Sequence, residues 1–263
     1  MRYNKGETVS SVVESRVMSI AAGSGESAVL SAPLSALTVV PPLENGDQLT
    51  RREFMRRWDA MPGLKKAELI EGTVYMAAAV RMSHHGRPHR MLIGWMDRFI
   101  GNTPGLDGGS DASVVLDDEN MPQPDVVLFL PAGGGGKSHI NADGYLEGSP
   151  ELVAEVAASS VSIDLNRKFQ AYRRNGVQEY LVWRVRDKAI DWFVLQDGDY
   201  QLLTPDAEGI LKSRVCPGLW LDPTALIKRR TKRVNEVLDQ GMASPEYRDF
   251  AQRLAPFAPP EET

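Results

Sequence analysis

The sequence predicts an α/β fold in which a mixed central β-sheet is flanked by helices. Two apolar, β-branched runs predict buried strands, one after Pro124 that ends at Leu130 and the other at 151–157. The stretch 163–175 has the period of an amphipathic helix. Three further strands follow this helix, at 179–185, 189–195 and 200–203. Strands that alternate with helices in this way are typical of α/β domains.

The length and composition favour one medium-sized domain with an extension at each end. The chain has 263 residues, of which 42% are hydrophobic, so it can bury a sizeable core. We expect the folded domain at 48–222. The segment 1–47 is rich in Ser, Ala and Gly and has no periodic apolar face, so it is expected to be a disordered N-terminal extension. The segment 223–263 has a helical pattern and is expected to form a C-terminal extension.

Charge, cysteine content and hydropathy restrict the class of protein. The net charge of −5 excludes a broadly basic protein that coats nucleic acid by charge alone, although it permits a local basic groove. The single cysteine, Cys216, forbids an intramolecular disulfide and fits a reducing cytosol, so we expect a cytoplasmic protein. No run of 18 apolar residues predicts a membrane helix, and we expect no membrane partner.

Capping and turn signals place the elements of the N-terminal half. The run Thr50-Arg-Arg-Glu53 predicts a capping box, in which each of the two side chains accepts from the other residue's amide. Pro88 can begin a helix but cannot continue one. The resulting expectations are a helix at 51–60, a strand pair at 68–78, a helix at 88–100, a loop at 102–109 and an antiparallel hairpin made of 112–116 and 125–130.

Three signals in the C-terminal half bear on fold or function. The glycine run 133–136 predicts a loop, but it lacks the upstream glycine spacing of a phosphate-binding loop. Ser244-Pro245 predicts the cap and first position of a last helix that reaches about Leu254. The basic run 228–233 is either a solvent-facing helix or a nucleic-acid contact, and a short charge run alone does not decide between them.

Two carboxylates lie within the strands that are predicted to be buried. Asp125 begins the first strand, and Glu155 stands in the middle of the second. An isolated buried carboxylate costs several kcal/mol unless it is paired, hydrogen-bonded or bound to a metal. Carboxylates suit Mg²⁺ or Mn²⁺, and Lys168 on the following helix adds the cation of a metal-assisted hydrolytic site. The residues alone equally permit a structural explanation, in which Asp125 is a turn acid and Glu155 pairs with Lys168 or an arginine.

The histidines suggest a different metal site. His84, His85 and His89 lie within six residues, and His85 and His89 have the spacing of metal ligands on a helix. Pro88 lies between them and should break the single helical face that two ligands need, so we do not expect zinc. His89 could line the active site as a phosphate or water contact, or simply begin a capped helix.

The order and spacing of these residues resemble the Uma2 family, whose members are described as nucleases of the PD-(D/E)XK, restriction-endonuclease-like superfamily. The resemblance covers roughly residues 50 to 205. The matching residues are Glu68-Leu-Ile-Glu71-Gly72, His89, Pro124-Asp125-Val126, Glu151-Leu-Val-Ala-Glu155-Val156, Asp164, Lys168, Tyr172 and Gly176-Val177-Gln178-Glu179-Tyr180. It implies a restriction-endonuclease-like fold and Mg²⁺- or Mn²⁺-dependent cleavage of DNA. We also expect a homodimer.

The resemblance also implies a role for each site residue. Asp125 and Glu155 would bind the metal, and Lys168 would stabilise the transition state or position the attacking water. Glu68, or less favourably Glu71, would complete the pocket. His89 and Tyr172 would contact the substrate.

One position departs from the superfamily, which usually has lysine two residues after the second carboxylate. Ala157 stands there in this chain. A non-catalytic nucleic-acid-binding module that keeps the fold is therefore the main alternative, and a small-molecule phosphohydrolase is a third possibility.

Overall fold

The structure, a computed structural model, describes residues 39–76 and 81–258. Most of the extension expected at 1–47 lies outside the described residues. The part that is described begins its packing earlier than expected, since the compact unit starts at Val40 and the side chain of Leu43 is buried. Leu43 packs with Phe54 and Leu69 in a hydrophobic cluster. Because of this packing, the folded unit starts at about residue 40 and not at about residue 48 as predicted.

The helices of the described residues are α1 (Arg51–Asp59), α2 (Arg87–Asn102), α3 (Phe169–Arg174), α4 (Pro223–Ile227), α5 (Thr231–Met242) and α6 (Pro245–Leu254). The strands are β1 (Ala67–Ile70), β2 (Thr73–Met76), β3 (Asp107–Ser110), β4 (Val114–Val115), β5 (Val126–Phe129), β6 (Lys137–Ile140), β7 (Leu146–Ser149), β8 (Leu152–Ala157), β9 (Glu179–Arg184), β10 (Ala189–Gln196), β11 (Asp199–Leu202), β12 (Leu211–Lys212) and β13 (Trp220–Leu221). Among these helices, none is long and apolar enough to cross a membrane.

The central sheet has six strands in the order β11-β10-β9-β8-β5-β3. Strands β8 and β9 are parallel, and their connection contains α3; the other neighbours are antiparallel. Strand β8 is buried along its whole length, as its continuous apolar run predicts. The mixed sheet flanked by helices confirms the predicted α/β class, and strands β9, β10 and β11 lie where the sequence places them.

The capping box at the start of α1 is only half formed. The hydroxyl of Thr50 accepts from the amide of Glu53 at 3.4 Å, as predicted. The carboxylate of Glu53 instead accepts from Arg56 and Arg57, each at 2.7 Å. Ion pairing with two guanidinium groups on the next turn replaces the return bond to Thr50.

Two predictions for the region between α2 and β8 are wrong. The expected loop at 102–109 contains β3, the edge strand of the central sheet. A side chain at Gly108 would lie 2.6 Å from the carbonyl oxygen of Val127, so the close pairing of β3 with β5 requires glycine there. The expected hairpin of 112–116 with 125–130 does not form either, because β4 pairs in parallel with β7 in a separate three-stranded sheet.

The C-terminal helices share the main core and are not an appendage. Leu226, Leu238 and Phe250 belong to the same hydrophobic cluster as Trp95 of α2 and Trp192 of β10. The indole of Trp95 also donates to the carbonyl of Trp220 at 3.1 Å. We therefore place the described part of 223–263 in the same folded unit as the sheet.

A buried carboxylate ties β9 to the segment that follows β12. Glu179 is fully buried and accepts four hydrogen bonds: from Trp192 Nε1 at 3.0 Å, Ser213 Oγ at 2.8 Å, and the amides of Arg214 and Val215 at 2.6 and 3.2 Å. Burial raises the pKa of Glu179, and the four donors oppose that rise. Donors point at both carboxylate oxygens, so this position requires a side chain that accepts hydrogen bonds at both atoms.

Glu179→Gln should therefore lower the free energy of unfolding by about 1 to 3 kcal/mol, because the amide nitrogen would face the donor of Trp192. Urea denaturation measures this change. Glu208→Gln, at an exposed position, is the matched control and should stay within about 0.5 kcal/mol of the wild type. Equal stability of the two variants would contradict the proposed role of Glu179.

Candidate active site

A cleft of about 710 Å³ lies against one end of β8 and the turn that precedes α2. It is lined by most of the site residues that the sequence predicts, namely Glu68, His89, Asp125, Glu155 and Lys168. These residues come from β1, α2, the start of β5, β8 and the helical segment before α3. Residues far apart in sequence therefore converge at one cleft.

The strand register explains why Asp125 and Glu155 face each other. Strands β5 and β8 are antiparallel, with Val126 opposite Ala154, so the next step of the register sets Asp125 opposite Glu155. Directly opposed residues of an antiparallel pair project from the same face of the sheet. The carboxylate of Asp125 also accepts from the amide of Val156 at 2.7 Å, which fixes its orientation.

Lys168 lies at the centre of a cluster of carboxylates. Its ammonium is 2.7 Å from Glu68 Oε1, 2.8 Å from Glu155 Oε1 and 3.8 Å from Asp164 Oδ1. Burial alone would lower the pKa of Lys168, but the three carboxylates outweigh burial and hold this pKa well above its usual value. We therefore take the ammonium as charged. Lys168, predicted on the helix that follows β8, does reach the buried carboxylate of Glu155.

A π-helical turn, Ile163–Lys168, puts two of these groups on the inner side of the helix. Both Asp164 and Lys168 are buried there, at a point where a regular α-helix has not yet begun. Single π-turns of this kind occur often at functional sites. The sequence predicts the helix but not its wider first turn.

The cluster has fewer cations than acids. Burial raises the pKa of Glu155 well above its usual value, and the charge of Lys168 offsets this only in part, because Asp164, Asp125 and Glu68 add like charge. The Oδ1 atom of Asp164 is buried without a hydrogen-bond partner among the described residues, while Ser160 donates to its Oδ2 at 2.5 Å. One ammonium serves three carboxylates, so the site retains capacity for a further cation.

Tyr172 does not contact the cleft, and its predicted role as a substrate contact is wrong. Its side chain is fully buried, and its hydroxyl donates to Glu155 Oε1 at 3.1 Å. The helix face that carries Tyr172 packs on the sheet behind Glu155, which keeps the ring away from solvent. Tyr172 can orient Glu155 but cannot touch a substrate.

His85 and His89 converge on Asp125, although Pro88 was expected to separate them. The ring of His85 is 5.2 Å from that of His89, and its Nε2 lies 3.2 Å from Asp125 Oδ1. His89 Nε2 lies 3.0 Å from the carbonyl oxygen of Asp125. A π-helical turn, Met82–Gly86, precedes α2, so Pro88 falls in the first turn of α2 and does not interrupt a face.

This histidine pair offers a nitrogen and oxygen ligand set. One ligand atom each from His85, His89 and Asp125 lie within 4.8 Å of one another. The hydrogen bond with Asp125 raises the pKa of His85, and burial opposes this rise. The four-residue spacing of the histidines was the only sequence signal for this group.

Two further residues, which no sequence motif indicates, also lie close to Asp125. Lys66 Nζ is 3.2 Å from Asp111 Oδ1 and 4.0 Å from Asp125 Oδ1. Asp111 reaches Asp125 because it directly follows β3, which pairs with β5, whereas Lys66 precedes β1 of a different sheet. Neither approach to Asp125 is indicated by the local sequence.

Comparison with solved structures supports the fold. The chain is similar to a crystal structure titled as "a putative nuclease belonging to DUF820" from Anabaena variabilis, with a TM-score of 0.50 and 11% sequence identity. The similarity covers 66% of this chain and 98% of the other. At this identity the likeness shows a shared fold. No protein with a curated description matches the chain.

The family model named Uma2, described as "Putative restriction endonuclease", matches residues 52–224. That range includes every residue of the acid and lysine cluster, together with His85 and His89. It also covers well over half of the chain. The chain therefore belongs to the Uma2 family of restriction-endonuclease-like nucleases.

Proposed function

We propose that this protein is an endonuclease that uses Mg²⁺ or Mn²⁺ to hydrolyse phosphodiester bonds in DNA. The observation that carries the proposal is the buried cluster in which one ammonium, that of Lys168, is shared by Glu155 and Glu68, with Asp125 opposite Glu155. Family membership supports nuclease activity in general. The choice of DNA and of metal is our inference.

The residues of the cleft fit a divalent cation. Asp125 and Glu155 would hold it, since both present carboxylates on the same face of the sheet, and hard oxygen ligands suit Mg²⁺ and Mn²⁺. Three carboxylates surround the one ammonium of Lys168, and Oδ1 of Asp164 has no hydrogen-bond partner among the described residues. The surplus negative charge would therefore neutralise a further cation. When bound, such an ion neutralises phosphate charge and lowers the pKa of water.

The other residues of the cluster hold the acids and supply charge. The amide of Val156 fixes Asp125, and the hydroxyl of Tyr172 fixes Glu155. The ammonium of Lys168 is positioned to stabilise negative charge that builds up on phosphoryl oxygens during attack. Glu68 holds the other side of that ammonium, and the amide of Gln123 donates to Glu68 at 2.7 Å.

Lys168 also accounts for the missing lysine of the superfamily. Ala157 and Glu155 are two residues apart on β8, so their side chains project from the same face of the sheet. Lys168 brings its ammonium to that face from the neighbouring helix. We propose that it replaces the lysine usually found at the position of Ala157.

A second candidate is a nucleic-acid-binding module without catalysis. The observation that favours it is that Glu155 Oε1 is already engaged by both Lys168 and Tyr172. In that case the ion pair would serve only to neutralise a buried acid.

Nicking of supercoiled plasmid DNA tests the proposal. The wild type should nick the plasmid with Mn²⁺ and with Mg²⁺, and EDTA should abolish the reaction. Glu155→Gln should lower the rate by at least about 100-fold, because it removes one metal ligand. Glu208→Gln, the same change at an exposed position, should cleave like the wild type. No cleavage by the wild type with any divalent ion would favour the binding module.

A further inference from the structure

A second cleft, of about 720 Å³, lies beside the first, and we call it the basic cleft. The two clefts are lined by residues of the same two segments. In the turn before α2, His84 and His85 line the first cleft and Ser83 lines the second. In the turn after β9, Arg186 lines the first cleft and Lys188 lines the second. These two turns therefore form the wall between the clefts.

The basic cleft has an apolar floor and a cationic rim. Its residues are Ser83, Arg87, Pro88, Trp183, Val185, Lys188, Thr224, Ile227, Lys228 and Arg229. None of them is acidic. The four cations are not buried, and in the described part of the chain none of these four has a carboxylate within 4 Å. By contrast, the arginines beside the turns of the sheet, such as Arg173 and Arg184, are paired with aspartates.

Two of the four cations occupy backbone positions that ordinarily favour glycine. Lys188 has φ of 53° and Arg229 has φ of 57°, both in the left-handed region. Arg229 directly follows the cap of α4, where the amide of Arg230 donates to Ala225 at 2.8 Å. Glycine is the usual residue at this place after a helix. The chain thus has a lysine and an arginine at two positions where the backbone conformation favours glycine.

We propose that the basic cleft binds the phosphate backbone of a DNA duplex beside the bond that is cut. The inference rests on the proposed nuclease function, because the basic cleft adjoins the acidic one. A duplex carries one negative charge per about 1.7 Å of its length, so a cleft lined by four cations and no acid is complementary to it. Because the whole chain has a net charge of −5, this local excess of positive charge is not a general property of its surface. Contacts of this kind position the substrate without reading its sequence.

Replacing two of the cations by glycine separates binding from folding. Lys188→Gly and Arg229→Gly each remove a charge at a site where glycine adopts the backbone without strain, so the melting temperature should be unchanged or higher. Arg248→Ala is the control, since Arg248 is exposed on α6 and lines neither cleft. Each of the three changes removes one positive charge from the surface.

Fluorescence anisotropy with a labelled duplex of about 20 base pairs measures the effect, in EDTA so that the DNA stays intact. For each phosphate that a variant no longer neutralises, the slope of log affinity against log salt should fall by about 0.9. The ratio of wild-type affinity to variant affinity should therefore be smaller at about 200 mM salt than at about 50 mM. It should fall by about 3.5-fold for each single variant and by about 12-fold for the double variant. Arg248→Ala should keep the wild-type slope.

Two outcomes would overturn the inference. One is wild-type affinity and slope in the Lys188→Gly, Arg229→Gly double variant, and the other is no binding of the duplex by the wild type at 50 mM salt. The plasmid assay is independent of both. If the wild type cleaves and the double variant binds normally, the inference fails while the nuclease proposal stands. If the wild type does not cleave but the double variant has the reduced salt slope, the basic cleft binds DNA and the nuclease proposal fails.

Discussion

Replacing Lys168 by methionine should lower the rate of DNA cleavage by about 100- to 1,000-fold. The ammonium of Lys168 is buried and lies 2.8 Å from Glu155 Oε1, and removal of one preorganised electrostatic donor typically has this effect. Metal affinity should not weaken, since the change removes a competing positive charge beside Glu155 and Glu68. Single-turnover cleavage and calorimetric Mn²⁺ titration measure the two quantities separately.

The variant should also be less stable, and a second change separates this effect from catalysis. Removing one partner of a buried ion pair costs about 3 to 5 kcal/mol, because it leaves buried charge uncompensated. Adding Glu155→Gln to Lys168→Met removes both partners, so it should recover part of the stability and none of the cleavage. Ala157→Lys in the Lys168→Met background should restore some cleavage, as its side chain lies on the face of Glu155. Full activity of Lys168→Met would contradict the replaced-lysine proposal.

Asp125→Asn and Glu155→Gln should each abolish measurable Mn²⁺ binding. Each change removes one of the two carboxylates that we propose as metal ligands, and a neutral amide is a much weaker ligand for a hard cation. Without metal, the melting temperature of Glu155→Gln should equal or exceed that of the wild type, because Lys168 keeps Glu68 and Asp164 as partners while one of several like charges is removed. Calorimetric titration and thermal unfolding in EDTA measure these effects.

Asp249→Asn is the matched control, since Asp249 is an exposed acid on α6 that lines neither cleft. It should bind Mn²⁺ like the wild type. Unchanged Mn²⁺ affinity in both Asp125→Asn and Glu155→Gln would contradict the proposed metal site. If only His85→Ala or His89→Ala weakened binding, the ion would belong to the histidine pair instead.

Local signals in the sequence were sufficient for most of the fold. Thr50 caps α1, and Ser244 caps α6 by accepting from the amide of Tyr247 at 3.2 Å. The continuous apolar run of β8 predicted a fully buried strand. These signals work because a helix cap is made by residues close in the chain, and because a strand buried on both faces is apolar at nearly every position.

The errors concern pairings between distant segments. Strand β4 has two residues, and its partner β7 lies some thirty positions further on, so no local turn specifies the pair. The segment 102–109 was expected to be a loop, but its last residues pair closely with β5 as an edge strand, with Gly108 against the carbonyl of Val127. Pro88 was also expected to break the helical face shared by His85 and His89. The sequence did not indicate the π-helical turn before α2, which brings the two histidines together.

The candidate site divides in the same way. Asp125, Glu155 and Lys168 could be found from the sequence because a charged residue within an apolar pattern stands out. The approach of His85 and Lys66 to Asp125 could not, since it arises only from tertiary packing. The role of Tyr172 depends on burial, and a helical pattern alone does not show that its hydroxyl turns toward Glu155.

A crystal structure grown with Mn²⁺ and measured for its anomalous signal would test the proposed metal site without relying on activity. We predict an anomalous peak coordinated by carboxylate oxygens of both Asp125 and Glu155, with the ammonium of Lys168 still beside Glu155. A peak that contacts neither acid, or no peak in the cleft at saturating Mn²⁺, would contradict this site.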